Sequence, residues 1–173
     1  MLYAILAAGE GSRLAQEGCD VPKPLVRIQG ETLIGRLIRV FVEQGATRIV
    51  VITNSLHQET EDYLRSLDLP VPFDIVVQTT PSSMHSLYAI RDYLEAEDRF
   101  CVTTVDTIFS EREFSAYIHA FEKSNLDGLM AVTSYVDDEK PLYVQTADDL
   151  TITSFCDTCE QRCAHVSGGI YCL

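Results

Sequence analysis

A chain of 173 residues, 46% hydrophobic and 23% charged, is long enough to bury a sizeable core within one domain and has the composition of an ordinary globular protein. Its net charge of -13 argues against a nucleic-acid partner, whose phosphates demand a broad basic surface. The apolar start, Met1 to Ala8, is too short for a membrane span and no basic stretch precedes it, so no membrane partner is expected and the chain reads as cytoplasmic.

The first predicted strand, Leu2–Ala7, runs directly into Ala8-Gly9-Glu10-Gly11-Ser12-Arg13. Glycines let the backbone turn sharply and approach a ligand, so that loop N–H groups can face phosphate oxygens. Arg13 offers a planar fork, while Lys23, held between Pro22 and Pro24, offers a compact charge on a stiffened segment. This is the chemistry of a nucleoside-triphosphate site. The loop lacks the Gly-Lys-Ser/Thr ending of a P-loop, and Leu14 stands where a dinucleotide fingerprint needs its third glycine.

A helix is predicted over Thr32–Gln44, then a strand over Arg48–Thr53 that ends in Thr53-Asn54-Ser55, with no acidic residue to hold a ribose hydroxyl. A helix over His57–Leu67 follows, then the connector Pro70-Val71-Pro72 and a strand over Asp74–Val77 that ends at Gln78. The next helix spans Ser83–Glu95, and the strand Arg99–Val105 delivers Asp106. Strands alternating with helices predict a mostly parallel sheet covered on both faces. Ligands gather at the carboxyl ends of strands in such sheets, so the glycine loop and Asp106 are expected at one edge. Ser110-Glu111-Arg112-Glu113 has the pattern of a capping box for the helix Glu111–Lys123, which leaves Asp106 free for another task. Gly128–Ser134, Leu142–Gln145 and Gly169–Cys172 are predicted as shorter, partly antiparallel strands. His57, His85 and His119 are expected at helix surfaces.

With Leu6-Ala7-Ala8-Gly9-Glu10-Gly11-Ser12-Arg13, Pro22-Lys23-Pro24-Leu25, Val26 to Gly30 and Thr32-Leu33-Ile34 in that order, the chain resembles the nucleotidyltransferases that activate sugar 1-phosphates and related phosphate monoesters. The resemblance implies an α/β protein with the three-layer α/β/α Rossmann-like nucleotidyltransferase fold, its sheet mixed but mostly parallel. It implies transfer of a nucleoside monophosphate from a nucleoside triphosphate to a phosphate-monoester acceptor (a sugar 1-phosphate, or one like phosphocholine), with release of pyrophosphate. Leu6, Ala8, Gly9, Gly11 and Ser12 would then bind the nucleotide, Arg13 and Lys23 would be catalytic, and Asp106 of Val105-Asp106-Thr107 would hold Mg2+. Gln78 matches the position that reads the base. Ser83 opens a turn close to the nucleotide, although Ser83-Met84-His85-Ser86 departs from the usual Gly-Thr-Ala. Ser83 to Tyr88 looks more like the phosphocholine cytidylyltransferase branch. The resemblance leaves room for a homo-oligomer.

Two departures shape the expectations. Sugar-activating members carry a Glu-Lys pair after the strand matching Thr151 to Phe155, where this chain has Cys156-Asp157-Thr158. Members also supply a second metal-binding aspartate from beyond the Gly169-Ile170-Tyr171 strand. Residues 1–173 therefore read as a single nucleotidyltransferase domain that lacks the C-terminal part of the family's domain. The alternative is a non-catalytic or truncated nucleotide-binding or regulatory domain of the same fold. A glycosyltransferase ranks last, because Thr104-Val105-Asp106 lacks the first aspartate of an Asp-x-Asp motif. Cys156, Cys159, Cys163 and His165 have ligand types suited to zinc, but closed zinc sites more often join two separated pairs, so free thiols are expected.

Overall fold

The computed structural model describes residues 1–11, 18, 20–136, 141–158 and 165–173. Arg13 and Ser12, assigned to phosphate binding, lie outside the described residues, as do Cys159 and Cys163.

The sheet grows around β1 (Leu2–Ala7), whose six residues are all buried. Parallel neighbours flank it: β4 (Arg48–Thr53), then β5 (Phe73–Val77) on one side and β6 (Phe100–Thr104) on the other. A strand buried on both faces must be apolar throughout, which is why Leu2–Ala7 and Arg48–Thr53 show no polar alternation. Odd residues of β1, Tyr3, Ile5 and Ala7, face a core built with α1 (Leu33–Glu43), α2 (Gln58–Arg65) and α5 (Glu111–Glu122). Even residues Leu2, Ala4 and Leu6 face a smaller core with Ile90 and Leu94, contributed by α3 (Ser83–Ala89), α4 (Arg91–Leu94) and their junction. Three layers result. Each fully buried Leu, Ile or Phe contributes roughly 1.5–3 kcal/mol, and Tyr3 stacks on Phe41 with ring centroids 4.6 Å apart.

Beyond β6 the sheet turns antiparallel. The path runs β5-β4-β1-β6-β10-β8-β9, with β7 (Leu129–Thr133) also paired to β10 (His165–Cys172). β8 (Tyr143–Thr146) and β9 (Ile152–Cys156) complete that end. The hairpin of β2 (Arg27–Ile28) and β3 (Glu31–Thr32) turns through Gln29 and Gly30, both at positive φ as a tight hairpin turn requires. It delivers Thr32 as the cap of α1, where its hydroxyl accepts from Gly35 N at 3.0 Å.

Three local expectations change. The predicted helix Ser83–Glu95 breaks at Ile90, which leaves helical geometry at φ -104°, ψ 8° while remaining wholly buried. No Gly or Pro marks that break; the need to seat Ile90 and Leu94 against the sheet imposes it. The last strand begins at His165, with Gly168 and Gly169 forming an irregularity inside it. Ser110 stands at the start of α5 but its side chain makes no capping hydrogen bond, so the capping-box expectation fails. Glu111 accepts from the Arg39 guanidinium at 2.8 Å, while Glu31 and Glu43 take the same side chain's other donors.

Candidate active site

The carboxyl ends of β1, β5 and β6 surround a cavity of about 430 Å³. Leu6, Ala8 and Gly9 line it from β1, Lys23 from the segment that follows, and Asp106 from the turn after β6. Thr80, Ser82, Ser83 and Ser86 close the opposite side. Leu6, Ala8, Gly9, Lys23, Ser83 and Asp106, separated widely in sequence, therefore share one cleft. A second hollow between α1 and α2, about 350 Å³, is walled mainly by Ile38, Val42, Leu67 and Leu69 and offers far fewer polar groups.

The glycine loop is held from below. Asn54, 2% exposed, donates from Nδ2 to the Gly9 carbonyl at 2.8 Å and accepts from Leu56 N at 3.1 Å. Both halves of its amide are thereby used, so the loop leaves β1 in a fixed direction. Among the described residues a side-chain atom added at Gly9 would meet nothing within 4 Å, so no described neighbour demands glycine there. The open space fits close approach of a ligand to the backbone. Gly11, at φ 64°, does need its glycine, and a Cβ there would lie 3.4 Å from Lys23 Cβ.

Lys23 opens a 3-10 turn, Lys23–Leu25, preceded by Pro22 and containing Pro24. Leu25 N donates to Pro22 O at 2.8 Å, which fixes the ammonium's point of departure. Lys23 Nζ then donates to Asp106 Oδ2 at 2.6 Å, with the two side chains 34% and 47% exposed. Burial pushes the Asp106 carboxyl up, but the Lys23 ammonium and a hydrogen bond from Thr104 outweigh it and hold the group below its ordinary 3.8.

The turn that carries Asp106 is itself clamped. Val105 N donates to Leu6 O at 3.1 Å and Thr107 N to Thr104 O at 3.3 Å. The hydroxyls of Thr104 and Thr107 meet at 2.9 Å. Gly169, at φ 74°, presses against them: a Cβ there would sit 2.6 Å from the Thr107 hydroxyl and 2.8 Å from that of Thr104. Asn54 and Gly169 were not singled out from the sequence as parts of the site. The signals were present, an amide after an apolar strand and a Gly-Gly pair inside one, but neither names its contact.

On the far side, Ser82 caps α3 and its hydroxyl lies 2.8 Å from Nδ1 of the exposed His85. Thr80 and Ser86 share a buried hydrogen bond of 2.6 Å. Gln78, the expected base reader, is exposed at the end of β5 and outside the cavity lining; its backbone N–H donates to Thr53 O at 2.8 Å. Cys156 pairs with Tyr143 across β8–β9, and His165 with Val144 across β8–β10. Tyr143 and Val144 are consecutive, so Cys156 and His165 lie on opposite faces of the sheet and do not converge on one ion. Among the described residues no group of three or more His, Cys, Asp or Glu side chains is placed to hold a metal, and no helix is long and apolar enough to cross a membrane.

Residues 3–153 match the MobA-like NTP transferase domain. The chain is 28% identical over 111 residues to the bifunctional IPC transferase and DIPP synthase of Thermococcus kodakarensis, covering 64% of this chain and 24% of that protein. It is 30% identical over 111 residues to the 2-aminoethylphosphonate cytidylyltransferase of Lancefieldella rimae, covering 62% of this chain and 43% of that one. It thus spans less than half the length of either relative. Among solved structures, the inositol-1-phosphate CTP transferase from T. maritima superposes with a TM-score of 0.79 at 23% identity, covering 99% of this chain and 69% of that one. A putative glucose-1-phosphate thymidylyltransferase from Bacillus anthracis gives 0.82 at 22% identity, covering 99% and 71%. At those identities the structures share the fold.

Proposed function

This chain belongs to the MobA-like NTP transferase family, and on that premise we propose that its cleft binds a nucleoside triphosphate and passes the nucleotidyl group to a phosphate- or phosphonate-bearing acceptor. The observation that carries the reading is the meeting of Lys23 and Asp106 at 2.6 Å beside the backbone of the glycine loop. A cation, a carboxylate and exposed amides around one cavity suit a triphosphate far better than an apolar ligand. A globally acidic chain can still bind one, because the charge that matters here is local.

An acceptor oxygen would attack the α-phosphorus in line. One P–O bond forms, the bond between the α-phosphorus and its bridging oxygen breaks, and pyrophosphate leaves. Such transfers rest on positioning and charge neutralisation, with no need for a side-chain nucleophile. In this assignment the Gly9–Gly11 amides and Arg13 hold the leaving phosphates, and Ser12 adds a hydroxyl to the same loop. Lys23 neutralises charge at the α-phosphoryl and orients the acceptor. Gln78, with Ser83 at the start of α3, is assigned to the base side.

The donor set supports a hard divalent cation. Asp106 exposes a carboxylate to the cavity, Glu10 lines the same space, and among the described residues no sulfur or imidazole ligand lines it. Mg2+ is bound in such sites by one or two carboxylates together with substrate phosphates. Asp106 would hold it, and bound there it would supply charge compensation across the phosphates. Lys23 must then release Asp106, which frees its ammonium for the substrate.

The cytidylyltransferase relative and the inositol-1-phosphate CTP transferase among the structural neighbours make CTP the first triphosphate to test. The experiment is pyrophosphate release with each triphosphate against sugar 1-phosphates, inositol 1-phosphate, phosphocholine and 2-aminoethylphosphonate, with and without Mg2+. Release with one acceptor, abolished by chelation, is the expected result. Triphosphate binding by calorimetry with no release across the panel would instead leave a nucleotide-binding domain, the reading favoured by Cys156-Asp157-Thr158 in place of a Glu-Lys pair. A cytoplasmic location belongs to the same proposal.

A further inference from the structure

Cys101 on β6 and Cys172 on β10 are direct antiparallel partners. The adjacent pair, Phe100 and Leu173, exchanges both backbone hydrogen bonds, Phe100 N to Leu173 O at 2.9 Å and Leu173 N to Phe100 O at 3.0 Å. Pairs alternate along an antiparallel ladder, so Cys101 and Cys172 occupy the non-hydrogen-bonded position, where α-carbons approach to about 4.5 Å and side chains lie closest. A disulfide accommodates α-carbon separations of roughly 4.4–6.8 Å, so this spacing lies inside its range, near the short end. Both side chains enter the same core, both are 0% exposed, and both are free thiols.

The two sulfurs are not equivalent. Cys101 favours the Cys172 thiolate against its burial, while the Tyr117 hydroxyl proton goes to Leu129 O. Cys101 is pushed the other way, by burial first and then by Cys172. Tyr3, Tyr117 and Glu122 are the other titratable groups that act on the pair.

We propose that Cys101 and Cys172 form a reversible cross-strand disulfide site whose oxidant is hydrogen peroxide. The Cys172 sulfur attacks one peroxide oxygen, the O–O bond breaks, and sulfenic acid and water result. Cys101 sulfur then displaces the sulfenic oxygen, which leaves as a second water with the remaining thiol proton. Two thiols are oxidised, one peroxide is reduced, and β10 becomes tied to β6, the strand that leads into the Asp106 turn. The inference rests on strand register and does not depend on the nucleotide chemistry of the cleft.

The test exposes the reduced full chain to hydrogen peroxide, alkylates the remaining thiols in denaturant, and maps the peptides by mass. The expected result is a Cys101–Cys172 linked peptide that vanishes on treatment with dithiothreitol and is missing from Cys101→Ser. Recovery of both residues as alkylated thiols, or as sulfinic acids, at a peroxide dose that oxidises the more accessible Cys156 overturns the proposal. If Cys101→Ser does not fold, the wild-type map decides alone.

Discussion

Lys23 and Asp106, 83 positions apart in the chain, meet at 2.6 Å where the ends of β1 and β6 come together. Both side chains are partly open to solvent, so the pair itself contributes at most about 1 kcal/mol to folding. Its importance is positional, because each partner faces the space where phosphates are proposed to sit. Lys23→Ala should therefore lower the rate of pyrophosphate release by roughly 10²–10³, the scale of one lost charge-stabilising donor. Its denaturation midpoint should stay close to that of the wild type. A variant that is folded and of near-normal rate would take Lys23 out of the reaction.

The same pair sets a pH dependence. The folded carboxyl of Asp106 lies below 3.8, so its contribution to stability is present above that value and is lost as pH falls through the lower, folded one. Titration of the labelled Asp106 carboxyl by NMR should give an inflection below 3.8 in the wild type. In Lys23→Ala the inflection should move upward, because burial then acts without the ammonium to oppose it. No upward movement would mean that the ion pair does not persist in solution.

Asn54→Ala removes the donor to the Gly9 carbonyl from a position that is 2% exposed. A cost of about 1–3 kcal/mol is expected, because a buried hydrogen bond to the backbone is lost. The released loop should also weaken triphosphate binding more than it slows a saturated reaction. Chemical denaturation and a KM-against-kcat comparison read the two effects separately.

Gly169→Ala forces a methyl group to within 3 Å of the hydroxyls of Thr104 and Thr107, at a backbone φ of 74° that non-glycine residues adopt at a cost. Destabilisation by about 1–3 kcal/mol is expected, together with displacement of the turn that carries Asp106. The neighbouring Gly168, at an ordinary φ, meets Ala131 O at 3.1 Å and so tests whether the effect belongs to the turn or to β7 pairing. Loss of activity in Gly169→Ala but not in Gly168→Ala would assign it to the turn.

Much of the architecture was legible because burial on both faces leaves an unmistakable mark. Leu2–Ala7 and Arg48–Thr53 have the boundaries expected from their apolar runs alone. The convergence of the glycine loop with Asp106 followed from sheet topology before any side chain was placed. What escaped was tertiary in origin. Ile90 ends a helix for the sake of the core, Ser110 makes no side-chain cap, and Asn54 holds a carbonyl 45 positions away. Such contacts are chosen by distant neighbours, so local pattern carries no trace of them.

The odd and even residues of β1 are divided between two separate cores, and this makes the strand a fixed ruler for the cleft. One residue inserted between Leu2 and Ala7 would send every side chain on one side of the insertion to the wrong face of the sheet. Length changes after Ala8 leave unaltered which residues of β1 face which core. Variation in how the substrate is gripped can therefore accumulate in the loop, while the strand that launches it stays constant in length.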